Sequence, residues 1–262
     1  MSRGRLRRYA VLLWGYLQET FLSAVAYRGF LFTLAAERMV PPLVGMAVWS
    51  TALPDRQPEL ATYFTALLAV RMLTVCYENV FLAEAIYGGT LTDTLLRPHP
   101  AILHTVGTNL AYRLWHGLMV IPLLVAIALL TPVRVAPADV LQALPALAIA
   151  AALRFLFTYI LALAAFWTQR AGAIVSSGGL LLTLLGGEAA PIPLLPSELQ
   201  PWLAALPFRA MLGFPAEVTT GMVSGPGIVV GYAWQLIWLL ALTLLARHIW
   251  GAGLRRFTAV GG

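Results

Sequence analysis

Several charged residues lie within or beside long apolar segments of this sequence. Five of them are candidates for a substrate path or for pairing between helices, namely Arg38, Arg71, Glu78, Arg154 and Glu188. A charge at the centre of a bilayer costs about 2.5–3.5 kcal/mol on insertion scales, and less when it is paired. Arg71 and Glu78 are seven positions apart, nearly on one face of a helix, and could pair through neighbouring groups. Such side chains either line a substrate path or pair between helices and fix the bundle and its dimer.

The sequence contains none of the motifs that mark common catalytic or nucleotide-binding sites. It has no G-x-x-x-x-G-K-[ST] loop to cradle ATP phosphates, no H-E-x-x-H and no G-x-S-x-G. His99 and His104 are five positions apart, which does not place two metal ligands on one helical face. Cys76 is the single cysteine, so no intrachain disulfide and no thiolate metal cluster forms. The sequence therefore predicts neither catalysis nor a bound cofactor.

Composition predicts that the elements positioning these charges are transmembrane helices. Hydrophobic residues make up 60% of the 262 residues, and only 11% are charged. A soluble domain of this size carries about 25% charged residues. The net charge is +6 and all 17 basic residues are Arg, clustered next to apolar runs. That placement suits anionic headgroups and orientation signals, and it argues against nucleic-acid binding.

Six segments are candidate spans of about 20 apolar residues each. They are residues 30–53, 60–82, 103–130, 140–167, 171–185 and 228–250, of which the fifth is short and rich in glycine. Nothing repeats at a fixed period, so the sequence predicts one all-α membrane domain over residues 1–262 with six transmembrane helices. It predicts a multi-pass protein of the inner (cytoplasmic) membrane.

The distribution of arginine predicts that both termini lie in the cytoplasm, by the positive-inside rule. Three arginines fall on the predicted outer side, namely Arg56, Arg134 and Arg209. Eleven fall on the predicted inner side, namely Arg3, Arg5, Arg7, Arg8, Arg28, Arg97, Arg113, Arg170, Arg247, Arg255 and Arg256.

Residues 1–28 predict an amphipathic helix in the cytoplasmic interface. An apolar stripe at helical spacing accompanies the arginine cluster, and it consists of Leu6, Ala10, Leu13, Leu17, Phe21 and Ala24. A signal peptide is the alternative, because the arginines precede an apolar run and Ala24-Val25-Ala26 imitates a cleavage site.

Residues 186–227 predict broken helices on the outer side. Six prolines interrupt its otherwise apolar part from 191 to 215, at positions 191, 193, 196, 201, 207 and 215. Each proline removes a backbone donor, so a continuous spanning helix is excluded and short helices that dip into the outer leaflet are expected.

The predicted cytoplasmic loop 84–101 contains a short helix. Thr90 is a plausible N-cap, Asp93 suits the positive helix end, and Pro98 ends the helix by Arg97. A helix this short is marginal in water, so another structure has to hold it. It either rests on the headgroups or docks into a soluble partner through Leu91, Leu95 and Leu96.

Several segments resemble the six-span permeases of type-two ABC exporters. They are G-T-L-T-D-T-L-L-R-P at 89–98, Phe166-Trp167, P-x-x-L-L-P…W-x-x-x-L-P-F over 191–208, and W-x-x-G-L-R-R-F at 250–257. The resemblance covers nearly the whole chain in order and topology. The sequence departs from the family pattern at 186–190, where Glu188 stands in an expected neutral turn.

The resemblance implies a coupling helix that sits in a groove of a separate ABC ATPase. Its residues would be Thr90, Leu91, Thr92, Asp93, Leu95, Leu96 and Arg97. It also implies a dimer with a second permease, either another copy or a sister chain, and ATP with Mg²⁺ on the ATPase alone. The cargo would be a hydrophobic or amphiphilic drug, antibiotic or lipid, exported by alternating access. A secondary carrier, or an intramembrane enzyme or scaffold, is the alternative.

Overall fold

The structure is a computed structural model that describes residues 3–257, with side chains described for residues 4–77 and 81–257. All regular elements in these residues are helical. The α-helices are α1 (Arg3–Ala26), α2 (Arg28–Ala52), α3 (Gln57–Leu73), α4 (Glu78–Tyr87), α5 (Leu91–Leu95), α6 (Ile102–Leu130), α7 (Pro137–Leu163), α8 (Ala171–Leu185), α9 (Gln200–Ala205), α10 (Pro207–Met211), α11 (Gly213–Thr219) and α12 (Pro226–Leu254).

Four helices are long and apolar enough to cross a membrane. They are α2, α6, α7 with the 3-10 turn that follows it, and α12. α8 is apolar but has only 15 residues, a length of about 22 Å against a hydrocarbon thickness of about 30 Å. The chain is therefore a multi-pass helical membrane protein.

The predicted second span, residues 60–82, is not one continuous helix. α3 ends at Leu73 and α4 begins at Glu78, so residues 74–77 separate two shorter helices. Twelve of the 17 residues of α3 are buried, because α2, α6 and α11 pack around it. α3 is thus the central helix of the bundle, and its apolar residues face protein on every side.

The proline-rich segment folds as predicted into short helices, none of which could span a bilayer. α9, α10 and α11 contain six, five and seven residues. Residues 207–218 are almost entirely buried, and α10 and α11 pack against α7, with α11 also touching α3. Protein therefore surrounds these short helices, and their depth in the membrane stays a prediction.

The N-terminal helix α1 runs beside the first turns of α6. Gly107 lies against Tyr16, and the Phe21 ring meets the Trp115 ring edge-on with centroids 5.8 Å apart. The predicted apolar stripe therefore contributes to a helix–helix contact. Its placement in the membrane interface remains a prediction.

Gly231 is a packing glycine, and we expect its substitution to destabilise the bundle. A Cβ at this position would lie 1.9 Å from Cε2 of Phe214, a buried side chain. Overpacking of this kind costs about 1–3 kcal/mol, so Gly231→Ala should lower the thermal midpoint in detergent. Gly179→Ala is the matched control, since no atom lies within 4 Å of its added Cβ. Equal midpoints for the two variants would contradict the close contact with Phe214.

Candidate functional site

The predicted coupling segment contains a helix at the expected place but shorter than expected. Thr90 occupies the N-cap position, although its side chain makes no capping hydrogen bond, and α5 ends at Leu95 rather than at Arg97. Leu96 and Arg97 follow in a turn, in which the Arg97 amide donates to the Thr94 carbonyl at 3.4 Å. A helix from Thr90 to Arg97 would have about two turns, whereas the five residues of α5 form about one and a half.

The three leucines of this segment do not share one surface. Leu91 is 2% exposed and packs in the chain's own core with Leu82 and Ile86. Leu95 is 38% exposed and Leu96 is 79% exposed. Leu91 anchors α5 to the bundle and cannot also fill a groove of a partner, so the expectation that all three leucines enter such a groove is wrong for Leu91.

The remaining residues of the segment form an outward surface. Thr90 and Asp93 are exposed, and Thr92 is half-buried. Together with Leu95, Leu96 and Arg97 they make up what we call the coupling surface. It combines an apolar patch, one carboxylate and one guanidinium, which is a composition suited to a protein partner.

Arg97 joins the coupling surface to the N-terminal helix. Its Nη1 donates to the Tyr16 hydroxyl at 2.9 Å, and its guanidinium lies 5.8 Å from the centroid of the same ring. The hydrogen bond with Tyr16 raises the pKa of Arg97. His99 Nε2 lies 2.8 Å from the same hydroxyl. Tyr16 therefore ties both sides of the turn after α5 to α1.

Side chains from α6 and α7 satisfy the backbone at the break between α3 and α4. The Val75 carbonyl accepts from Asn109 Nδ2 and from Arg113 Nε, each at 3.2 Å. Arg154 Nη1 donates to the Arg71 carbonyl at 3.2 Å and to Thr74 Oγ1 at 2.8 Å. An unsatisfied carbonyl costs several kcal/mol in a bilayer, so these donors hold the break open. Arg154 also faces the negative end of the α3 dipole.

Arg71 pairs with Glu188, which the sequence had singled out but left without a partner. A guanidinium nitrogen of Arg71 donates to Glu188 Oε1, and both side chains are at least nine-tenths buried. Thr183 Oγ1 donates to Glu188 Oε2 at 2.8 Å. Tyr63 fixes the same turn by donating to the Gly187 carbonyl at 2.8 Å. Because Gly187 has φ +90° and no Cβ, the turn can approach Tyr63 closely.

Arg38 and Glu78, the two other charged residues singled out by the sequence, do not belong to the Arg71–Glu188 pair. Arg38 lies half-buried on α2, with its guanidinium carbon 5.7 Å from the centroid of the Tyr77 ring. The side chain of Glu78 lies outside the described residues. The break at 74–77 places Glu78 on a separate helix from Arg71, so their seven-residue spacing no longer implies a shared face.

A second buried ion pair was missed by the sequence interpretation. Arg209 Nη2 lies 2.5 Å from Glu217 Oε2, and both residues are buried. Gln235 of α12 donates from Nε2 to the Ala146 carbonyl at 3.0 Å and to the Ala210 carbonyl at 2.9 Å. The sequence interpretation counted Arg209 as an outer-loop charge, and only the spacing of Arg209 and Glu217 within an apolar segment could have suggested the pair.

These charges form structural pairs between helices rather than a catalytic centre. Arg113, counted among the inner loop arginines, lies within α6 and bonds to backbone, including the Ala151 carbonyl at 2.7 Å. Among the described residues, no group of three or more His, Cys, Asp and Glu is placed to hold a metal ion. Of the two interpretations of the intramembrane charges, the geometry favours helix pairing.

Comparison with known proteins yields one match. The model of the family described as "ABC-2 family transporter protein" matches residues 57–261, which include every helix from α3 to α12. No curated protein and no solved structure matches the chain.

Proposed function

This chain belongs to the ABC-2 family of transporter proteins, and we propose that it is the membrane-spanning permease subunit of an ATP-driven exporter. The family match confirms the resemblance inferred from the sequence and makes the chain a membrane transport component. Export of a hydrophobic or amphiphilic cargo by alternating access is the proposed activity. The six spans would be α2, α3 with α4, α6, α7, α8 and α12.

The main support for the proposal is the coupling surface, which lies within the part of the chain that the family model matches. It stands on a segment that the chain's own core holds through Leu91 and that Tyr16 ties to α1. Displacement of this surface by a partner therefore acts on α4 and α1 together. We propose that an ABC ATPase, which binds ATP and Mg²⁺, pushes this surface and that two permeases rock in response. The second permease would be another copy or a sister chain.

Affinity purification tests the proposed partner. The tagged chain, expressed with the genes that neighbour its own, should retain an ATPase subunit whose sequence has a Walker motif. The purified assembly should hydrolyse ATP, and vesicles that contain it should accumulate or release an amphiphilic dye only when ATP is supplied. Purification of the chain without any ATPase, with dye movement that follows an ion gradient, would instead support a secondary carrier.

The break at 74–77 argues against the secondary carrier. A carrier would need backbone carbonyls at a broken helix to bind its coupling ion. Here the Arg71 and Val75 carbonyls accept hydrogen bonds from Arg154 and from Arg113. Two guanidinium groups at the break repel a metal cation, so this carbonyl cluster is unsuited to Na⁺.

We expect both termini to face the cytoplasm. In a Cys76→Ala background, single cysteines at Gly4, Gln169 and Ser197 report the two sides, because all three native positions are exposed. An impermeant maleimide added to intact cells should label Ser197→Cys and should reach Gly4→Cys and Gln169→Cys only after the membrane is permeabilised. Labelling of Gly4→Cys in intact cells would overturn the orientation.

A further inference from the structure

Two adjoining cavities lie between the coupling segment, α6, α7 and α12. The inner cavity has a volume of about 80 Å³ and the outer one of about 480 Å³. Both are lined by Ala101, Tyr159 and Trp250, so they meet at these residues. The outer cavity falls in the range of small-molecule sites, about 300–1,000 Å³.

The inner cavity is lined by aromatic side chains and also by five polar ones, namely Thr94, His104, Thr105, Thr108 and Asn109. Tyr77, Phe81 and Tyr112 line it beside Tyr159 and Trp250. The Tyr159 ring stacks on Phe155 with centroids 5.8 Å apart and lies 6.1 Å from the Trp250 ring. These ring contacts fix the aromatic side of the cavity, which is therefore preformed and can pack against the end of an apolar chain.

Tyr159 also provides a polar group that the bundle does not use. The residue is only 5% exposed, and its hydroxyl makes no hydrogen bond to a partner within the described residues, but the hydroxyl is not fully enclosed by protein and so reaches the cavity space. A buried tyrosine usually finds such a partner. Because Tyr159 lines both cavities, a bound ligand can supply the missing bond.

The outer cavity has one guanidinium, that of Arg247, in its lining. Arg247 of α12 and His99 line it, and Arg247 is exposed. No carboxylate lines either cavity within the described part of the chain. A guanidinium at the end of an apolar cleft selects a carboxylate or phosphate carried by a hydrophobic tail.

We propose that the two cavities form one binding site for a single-chain anionic amphiphile. Its carboxylate or phosphate pairs with Arg247, an oxygen of the same polar end accepts from the Tyr159 hydroxyl, and its hydrocarbon chain lies in the outer cavity, with only the chain end in the smaller inner cavity. Leu91, Thr94 and Leu95 of the coupling segment form part of the wall. A bound ligand therefore touches the segment that the ATPase is proposed to contact. This consequence rests on the proposed function.

Binding is measured on the purified chain in nanodiscs of phosphatidylcholine, without an ATPase. A fluorescent fatty acid, 11-(dansylamino)undecanoate, should bind saturably. Oleate or oleoyl-lysophosphatidylglycerol should displace it, whereas oleyl alcohol and oleylamine should not. The stronger of the two anionic competitors identifies the source, a free fatty acid or a lipid phosphate. Equal displacement by oleyl alcohol, or binding that does not saturate, would overturn the site.

Matched variants locate the site. Arg247→Gln should weaken probe binding at least tenfold, and Tyr159→Phe about five- to tenfold. Arg256→Gln and Tyr232→Phe are the controls and should bind normally, since neither residue lines the cavities. Unchanged binding in both Arg247→Gln and Tyr159→Phe would overturn the proposal. The binding assay contains no ATPase, so its result does not depend on whether the chain proves to be an exporter subunit. In the same way, a negative binding result would not contradict the proposed exporter function.

Discussion

Glu188→Ala is expected to lower the free energy of unfolding by about 3–5 kcal/mol, because it leaves the Arg71 guanidinium buried without its carboxylate. Glu188 is 2% exposed and accepts from both Arg71 and Thr183. Both side chains of the pair are at least nine-tenths buried in the bundle, where an unpaired charge is poorly solvated.

The single thiol allows this stability to be measured directly. Cys76 is buried, so a thiol-reactive fluorogenic dye reports its exposure as the detergent-solubilised chain unfolds. Glu198→Ala is the control, since Glu198 is exposed and lies in the same proline-rich segment. The double variant Arg71→Met, Glu188→Leu should recover much of the loss, because no charge remains buried. A Glu188→Ala midpoint equal to that of Glu198→Ala would refute the role of the pair.

Leu96→Asp is expected to weaken the association with the ATPase by about tenfold to more than a hundredfold. Burying a leucine contributes about 1.5–3 kcal/mol, and each 1.4 kcal/mol is a factor of ten in affinity. Leu96 is 79% exposed in the chain alone, so the bundle does not depend on it. The variant should insert and fold normally but lose co-purified ATPase and ATP-driven dye movement.

Two other leucines provide the comparison for Leu96→Asp. Leu199→Asp places the same change at an exposed position of the proline-rich segment and should retain the ATPase. Leu91→Asp should lower stability itself, since Leu91 belongs to the core. If Leu96→Asp retained full ATPase binding and transport, α5 would merely rest on the membrane surface, as in the headgroup interpretation.

Hydropathy predicted the long helices well, because a span of apolar residues is a local property. It did not predict the break after Leu73, since the residues 74–77 contain neither proline nor glycine. Asn109, Arg113 and Arg154 hold that break from two other helices. Tertiary contacts of this kind leave no local trace in the sequence.

The sequence allowed for ion pairs between the intramembrane charges, but it could not tell which residues pair with each other. It left open whether the intramembrane charges pair between helices or line a substrate path, and Arg71 does pair. Its partner Glu188 comes from a turn that no helical spacing relates to α3. In the same way, the leucine spacing of the coupling segment predicted a common face, but the position of α5 against the bundle buries Leu91 and leaves Leu96 exposed. The spacing of apolar residues shows which side chains share one face of a helix, but it does not show which neighbouring element covers that face.

The pairing of α3 with a distant turn also constrains biosynthesis. Arg71 emerges from the ribosome 117 residues before Glu188, and at about 5–20 residues per second this delay is roughly 6–23 s. During that interval α3 carries an uncompensated charge and is not among the helices apolar enough to enter lipid on hydropathy alone. We expect α3 to wait at the translocation channel, or at the membrane surface, and to settle into the bilayer only when α7 and the turn after α8 have been made.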